Sequence, residues 1–370
     1  MIRTHADETE RGRRLAAPVV DALRSGGLFS IGLASALGGL ETPIGVALRA
    51  IEEISFADGA SGWNAMIVFD TDLWAGFLSG ASRDLIRSLS RPIVTGTLSS
   101  PGRIEKSDGG YRISGRWKFG SGCQHCDVVL VGALLCEGGK PVVSPSGAPE
   151  LLQIALRPSE ISILDTWRVT GLRGTGSHDF AIDNLLVAVE RALPLNITTP
   201  VERGPLYAFP MLASFAVAKG AVALGIARHA IEAFKEIARS KVPATKTNTL
   251  RERPSVQIDL AHAEALVLSA RAFLYQSVEE GWRELLAGNP IPPRSRALIR
   301  LAATDCVQRC AQAADLMYHA AAATAIYESC ELERCFRDAH VVTAHIVVQP
   351  AMYEAVGRVL LDLPPDTAVW

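Results

Sequence analysis

Apolar residues recur at helical spacing near both ends of the chain, whereas the middle has short clustered runs. Residues 43–56 carry a stripe of Ile, Leu and Ala, and residues 8–23 and 61–77 show similar spacing. Such stripes are typical of helices packed on a core. After residue 200, long periodic segments over 210–240, 256–287 and 293–325 predict three helices. Together with a tail segment over 335–361, these segments predict an up-and-down bundle.

The pattern of apolar residues changes at about residue 91, where helical spacing gives way to short segments. These short β-branched segments are bounded by Gly, Pro, Asp or Ser, and they predict strands at 93–97, 110–115, 128–133, 152–156 and 180–187. Asp108-Gly109-Gly110 is a hairpin-turn signal. The pattern predicts an α+β chain with an antiparallel barrel or sandwich in its middle. We therefore divide the chain into 1–90 (helical), 91–197 (strands) and 198–370 (bundle).

Bulk composition excludes several classes of protein. The 370 residues are 48% hydrophobic with a net charge of −2, so neither nucleic acid nor an anionic membrane is an expected partner. The polar N-terminal segment lacks a secretory apolar region, and Lys219 interrupts the longest apolar run, which favours a buried helix and a cytoplasmic protein. Seven cysteines, an odd number, favour reduced thiols, and the Cys123/Cys126 pair lacks further ligands, so no metal is expected.

The most specific pattern lies in the C-terminal quarter. Its members are Glu331, Glu333, Arg334, Arg337, Asp338, Ala339, His345 and Pro350. This pattern resembles the segment that closes the active site in the acyl-CoA dehydrogenase superfamily, where a Glu-Gly pair supplies the catalytic base. Here Ile346 stands at the position of the base, with His345 before it. A conserved frame without its base indicates changed chemistry, and the spacing of the histidines resembles the two-component (group D) flavin-dependent monooxygenases.

Further segments carry the same resemblance. They are residues 37–41 with 57–63, GYRISGRWKFGSGC over 110–123, DTWRVTGLRGTGSHD over 165–179 and the tail over 349–360. The resemblance covers nearly the whole chain and implies the acyl-CoA dehydrogenase fold, with an N-terminal helical domain, a middle antiparallel β-barrel and a C-terminal four-helix bundle. It also implies a homotetramer.

The resemblance implies a cofactor and a reaction. Reduced FMN, or FAD as the alternative, is supplied by a separate flavin reductase and reacts with O2 to give a C4a-hydroperoxide. One oxygen then passes to a small, aromatic substrate. A dinucleotide fingerprint of the Rossmann type is absent from the sequence, because Gly174-Thr175-Gly176 lies in a loop between strands.

Several residues are expected to hold the flavin. Trp117 and Phe119 lie two apart on a predicted strand, so they are expected to face the same side and form a flat apolar wall. Ser121, by resemblance, lies near flavin N5 and has a catalytic role. Arg173 lies between glycines in a loop, where a cation can reach the flavin or a neighbouring chain. The resemblance extends the cofactor contacts to Arg253, Tyr327 and Ser329.

Histidines are expected to act on the substrate. His345 is the predicted catalytic residue, because an imidazole transfers protons near neutral pH with little tuning. His178 and His340 are predicted to contact substrate. His340 lies five residues before His345, so on one helix the two side chains would point in different directions.

Two other functions remain open from the sequence. An acyl-CoA dehydrogenase needs a carboxylate base, but Ile346 occupies one family position for it, and no Asp or Glu lies between Glu202 and Glu232, where the other would fall. The Thr-Glu-Pro-Gly-Ser signature of those enzymes is also missing. A flavin-binding or structural homologue without catalysis is the second alternative.

Overall fold

Five helices form the N-terminal part of the protein. The computed structural model describes residues 1–145, 147–195, 198–244 and 247–365. The helices are α1 (Ala6–Gly12), α2 (Ala17–Ser25), α3 (Ile44–Ala57), α4 (Gly59–Ala75) and α5 (Gly80–Arg87). The predicted helix over 8–23 is two helices, because Arg13 adopts a left-handed conformation that ends α1. Asp58 caps α4, and its carboxylate accepts the backbone N–H of Ser61 at 2.8 Å.

Strands occupy the middle of the chain. They are β1 (Val94–Ser107), β2 (Gly110–Gly120), β3 (Val128–Glu137), β4 (Lys140–Pro141), β5 (Leu151–Leu156), β6 (Ser162–Leu164), β7 (His178–Val187) and β8 (Ala192–Pro194). They form one sheet in the order β6-β7-β2-β1-β3-β5-β8, with β4 beside β3. The two-residue turn at Asp108-Gly109 joins β1 and β2 as predicted, with Ser107 opposite Gly110.

One pairing in the sheet departs from the prediction. The strands were expected to be antiparallel, but β1 and β3 are parallel. The reason is topological: β2 leaves β1 as a hairpin, and the segment after it crosses back so that β3 enters on the other side of β1 in the same direction. The division at residues 90 and 197 stays a prediction.

Helices return after the sheet and form a bundle. They are α6 (Pro205–Ala208), α7 (Met211–Ser240), α8 (Pro254–Leu286), α9 (Pro293–Ala321), α10 (Glu331–Thr343) and α11 (Ala351–Leu360). The tail segment predicted over 335–361 contains two helices. A 3-10 turn over Ile346–Val348 separates α10 from α11, and Pro350, which cannot continue a preceding helix, stands immediately before α11.

Helix α7 is the centre of the bundle. Among the described residues it is the one helix long and apolar enough to cross a membrane. Yet 83% of its most apolar 18-residue stretch is buried inside the protein. It packs on α3, α4, α9 and α10. Burial among protein helices agrees with the prediction of a core helix made from Lys219 within the apolar run.

Candidate functional site

His345 occupies the junction between α10 and α11. It is the residue before the 3-10 turn, and its Nδ1 accepts the backbone N–H of Val347 at 3.4 Å. Burial and then the ammonium of Lys219 lower the pKa of His345 well below its ordinary value, so the ring is neutral at neutral pH. Because Nδ1 is the acceptor, the remaining ring proton lies on Nε2. His345 is therefore fixed as a donor through Nε2.

Trp63 joins the two residues predicted to be catalytic. Its ring stands edge-on to the His345 ring, with 5.8 Å between the ring centroids. Its indole N–H donates to Ser121 Oγ at 3.1 Å. Trp63 comes from α4, Ser121 from the end of β2 and His345 from the end of α10. The structure thus brings together residues that are 58 to 282 positions apart in sequence.

A chain of three buried hydroxyls leads away from Ser121. Ser121 Oγ lies 2.6 Å from Ser177 Oγ, which lies 2.6 Å from Thr175 Oγ1. Thr175 donates to the carbonyl of Leu172 at 2.9 Å. Each hydroxyl has one proton, so Ser177 must donate to Thr175 and Ser121 must donate to Ser177. One lone pair of Ser121 Oγ accepts the indole N–H of Trp63, and the second lone pair is left for a ligand. Because its proton is already used, Ser121 can accept a hydrogen bond from a ligand but cannot donate one.

A buried ion pair lies beside His345. Lys219 of α7 binds the Asp70 carboxylate of α4, and the two residues are 1% and 5% exposed. Burial raises the pKa of Asp70 to about 6, against the lowering effect of the Lys219 charge. The same ammonium lowers the pKa of His345 in addition to the larger effect of burial.

The two aromatic residues expected to form one wall are separated. Trp117 is fully buried inside the sheet, where its ring stacks on Phe180 and its N–H donates to the Gly132 carbonyl at 2.8 Å. Phe119 is 57% exposed. The register between β2 and β7 shifts between Trp117 and Gly120, and Phe119 has a φ of +61°, so the alternation of faces fails there. The prediction that both rings face one side is wrong, and Trp117 belongs to the sheet core.

Asp338 fastens the loop that carries the hydroxyl chain. Its Oδ1 accepts the backbone N–H of Leu172 at 2.5 Å, and Leu172 holds a left-handed conformation with a φ of +51°. Gly171 packs directly on the α10 backbone, since an added Cβ would lie 2.4 Å from the Arg337 carbonyl. The motif over 165–179 therefore binds the C-terminal motif on α10, and this contact holds the loop that carries Thr175 and Ser177.

Arg173 and Ser329 border a separate cleft of about 490 Å³. Its lining is rich in arginine: Arg11, Arg13, Arg168, Arg173, Arg334 and Arg337. Most of these cations are paired with carboxylates of α1 and neighbouring loops. Arg334 binds Asp7 at 2.7 Å, and Arg337 lies 2.9 Å from Glu10, which also faces Arg173 at 3.7 Å. A phosphate in this cleft would compete with those carboxylates.

The remaining expected cofactor residues lie on the surface or at a helix start. Tyr327, which is 64% exposed, follows the 3-10 turn over Ala322–Ile326. Arg253 is the residue before α8 and is partly exposed. Their predicted contacts with flavin stay predictions.

His178 and His340 are engaged by the protein itself. His178 is buried, and its Nδ1 lies 3.2 Å from the backbone N–H groups of both Thr166 and Trp167, so this side chain organises the segment after β6. His340 is exposed and its Nε2 lies 2.7 Å from Asp315 of α9. Neither contact joins the group around His345.

The residues around Ser121 fit a reduced flavin. A flavin ring requires an apolar face and partners for its polar edge. Phe119 presents an exposed ring held by a left-handed backbone, a conformation that costs free energy in a non-glycine residue. Ser121 offers an acceptor, and the central ring of a reduced flavin carries an N–H. By contrast, Ile346 at the position of the dehydrogenase base is 61% exposed.

Sequence reasoning missed the roles of Trp63, Asp70 and Lys219. Trp63 is the last residue of the motif over 57–63, which was one of those that carried the resemblance. Lys219 interrupts a long apolar run. A charged residue in such a run is a signal for a buried partner. Asp70 lies in the apolar segment 61–77 and carries the same signal, but the identity of its partner depends on how α4 and α7 cross.

Comparisons with known proteins agree over the full chain. Residues 217–350 match the family of the acyl-CoA dehydrogenase C-terminal domain. The chain is 32% identical to an indole-3-acetate monooxygenase from Pseudomonas putida over 98% of its own length and 91% of that protein. It is 28% identical to the oxygenase component of an FADH2-dependent resorcinol hydroxylase from Rhizobium sp. (strain MTP-10005), covering 99% and 92% of the two chains. A crystal structure of the 3-HSA hydroxylase from Rhodococcus sp. RHA1 superposes on the chain with a TM-score of 0.88 at 25% identity. The match covers 100% of this chain and 96% of that chain. The predicted fold is confirmed.

Proposed function

Because the chain belongs to the flavin-dependent monooxygenases of the acyl-CoA dehydrogenase superfamily, we propose that it hydroxylates a small aromatic substrate with reduced flavin and O2. It is the oxygenase component of a two-component system. The observation that carries this proposal is the linkage of His345, Trp63 and Ser121, which sets one donor and one acceptor at the same site. The aromatic class rests on the relatives, which include enzymes named for indole-3-acetate and resorcinol.

Reduced FMN, with FAD as the alternative, is the cofactor, and it supplies the two electrons needed to split O2 between substrate and water. Phe119, whose ring is exposed, would supply an apolar surface for the flavin ring. Ser121 Oγ accepts from a ring N–H, because its own proton is used toward Ser177. Arg173, Arg253, Tyr327 and Ser329 are candidates for the phosphate end of the cofactor.

His345 acts as a hydrogen-bond donor from Nε2. Its pKa lies well below the ordinary value because of burial and the Lys219 charge. A neutral imidazole whose Nδ1 is already bonded can stabilise an oxygen that gains negative charge, and it is a poor acceptor for a proton from carbon. His345 therefore supports oxygen transfer and leaves proton removal from substrate to other groups.

Partners follow from the two-component system. A separate flavin reductase delivers the reduced cofactor in a transient contact. The chain assembles as a homotetramer and works in the cytoplasm. Sedimentation of the purified protein tests the assembly, and a monomer with full activity would contradict it.

Stopped-flow spectroscopy tests the function. Protein loaded anaerobically with reduced FMN or FAD is mixed with oxygenated buffer, with free flavin as the control. The proposal expects an absorbing species that is neither reduced nor oxidised flavin, and hydroxylated product when an aromatic substrate is present. Reoxidation at the rate of free flavin would contradict it. Bleaching of bound oxidised flavin by an acyl-CoA would instead indicate a dehydrogenase.

A further inference from the structure

Burial of the Asp70–Lys219 ion pair carries a large desolvation free energy. Both side chains lie inside the helical core, between α4 and α7, and the Lys219 ammonium stands 5.3 Å from the centre of the Phe215 ring. Replacing such a pair by apolar residues of similar volume is often neutral or stabilising in other proteins. Stability alone therefore does not account for the pair.

One carboxylate oxygen of the pair is unused. Asp70 Oδ2 binds Lys219, whereas Asp70 Oδ1 is buried and has no hydrogen-bond partner among the residues that the structure describes. A buried acceptor without a donor carries the full cost of lost hydration. The free oxygen is thus a ready position for a donor brought by a ligand.

The position of the pair connects it to the candidate site. Lys219 is close enough to His345 for its charge to act on the imidazole. His345 packs on the edge of Trp63, which binds Ser121. Asp70 and Trp63 lie seven residues apart on α4, two turns of helix, so they share one face of it. The carboxylate therefore lies on the same side of α4 as Trp63, about 10 Å further along the helix axis.

We propose that Asp70 Oδ1 accepts a hydrogen bond from a ring-borne N–H or O–H of the aromatic substrate, with Lys219 holding the carboxylate ionised and in place. The inference rests on the proposed function and adds the residue that selects a ring bearing an N–H or O–H donor. Phe215 supplies aromatic surface beside the ion pair. A site built on a buried acceptor rejects rings that lack the donor, because the acceptor then stays unsatisfied.

Isosteric ligand pairs test the proposal by direct binding. Indole is compared with benzofuran, in which oxygen replaces the N–H, and phenol with fluorobenzene. Binding is measured by calorimetry on the protein loaded with reduced flavin under anaerobic conditions. The wild type is expected to bind each donor ring about 10- to 100-fold more tightly than its isostere, as for a hydrogen bond to a charged group. Equal affinities, or no binding of either donor ring, would overturn the proposal.

A double variant assigns the preference to the pair. Asp70→Leu with Lys219→Met removes both charges and keeps the site apolar, so it is expected to fold and to bind indole and benzofuran equally. Tyr275→Phe is the matched control, because it removes a buried hydrogen bond to Glu52 at 2.6 Å between α3 and α8. It should keep the preference. A folded double variant that still prefers indole would refute the role of Asp70.

The same samples separate this inference from the proposed function. Mixing with oxygenated buffer in the absence of substrate reports only on flavin and O2. An intact flavin transient with no ligand preference overturns the Asp70 proposal alone. Loss of the transient in the wild type overturns the proposed function, and the binding data then have no bearing on catalysis.

Discussion

Replacing Asp338 by Asn should make the protein less sensitive to pH. Asp338 is buried, and its Oδ1 accepts the Leu172 N–H. Burial and then the nearby Glu10 charge raise the pKa of this carboxyl from 3.8 to about 7. The folded state therefore holds the proton more tightly than the unfolded state. Its contribution to stability falls as pH rises from about 4 to about 7 and is constant above that.

The size of the effect follows from the shift. In the pH range between the unfolded-state and folded-state pKa of Asp338, each pH unit changes the free energy of unfolding by about 1.4 kcal/mol. Between pH 5 and pH 7.5 the wild type should therefore lose roughly 2 kcal/mol of stability relative to the variant. An asparagine keeps the acceptor oxygen toward Leu172, so any cost of the amide itself is independent of pH.

Urea unfolding of both proteins at pH 5 and pH 7.5 measures the difference. Other carboxylates titrate in both proteins, so they cancel when the free energies of unfolding are subtracted. Asp305→Asn, which removes a partly exposed carboxylate beside Arg309, controls for the loss of an ordinary ion pair. A difference in the free energy of unfolding that is the same at both pH values, or that shifts toward the wild type from pH 5 to pH 7.5, would refute the reasoning.

Three further substitutions probe the site and its support. His345→Gln should lower the single-turnover rate of product formation about 100-fold with flavin affinity retained, and an unchanged rate would remove His345 from the mechanism. Ser121→Ala leaves the Trp63 N–H without its acceptor, so it should destabilise the protein by about 1–3 kcal/mol and weaken the binding of reduced flavin in an anaerobic titration. Gly171→Ala should lower the melting temperature, because its Cβ would approach the Arg337 carbonyl to 2.4 Å; an equal melting temperature would show that α10 can move.

Local sequence patterns predicted most of the fold because they encode local physics. The hairpin at Asp108-Gly109, the strand segments and the three long bundle helices all follow from periodicity and turn residues. The errors occur where one residue breaks the pattern. Arg13 and Phe119 adopt left-handed backbone that no periodicity announces, and His345 uses its ring to cap a turn instead of continuing a helix.

The candidate site was only half predictable for a related reason. His345 and Ser121 stood inside recognisable motifs, but the contacts that give them their roles come from distant segments. The low pKa of His345 depends on burial and then on Lys219, and the direction of the Ser121 proton depends on Thr175 and the Leu172 carbonyl. Such contacts depend on how helices cross and loops dock, which single-sequence patterns do not contain.

The arrangement of donors and acceptors also separates oxygen transfer from dehydrogenation. Removal of a proton from carbon needs a base that faces the substrate, yet His345 is neutral with its proton on Nε2, and Ile346 beside it is largely exposed. A donor at His345 and acceptors at Ser121 and Asp70 instead suit the holding of a flavin, an oxygen atom and a ring-borne N–H or O–H. Ile346 stands where a dehydrogenase has its carboxylate base. The polar groups that suit oxygen transfer are supplied by other residues, namely His345, Ser121 and Asp70.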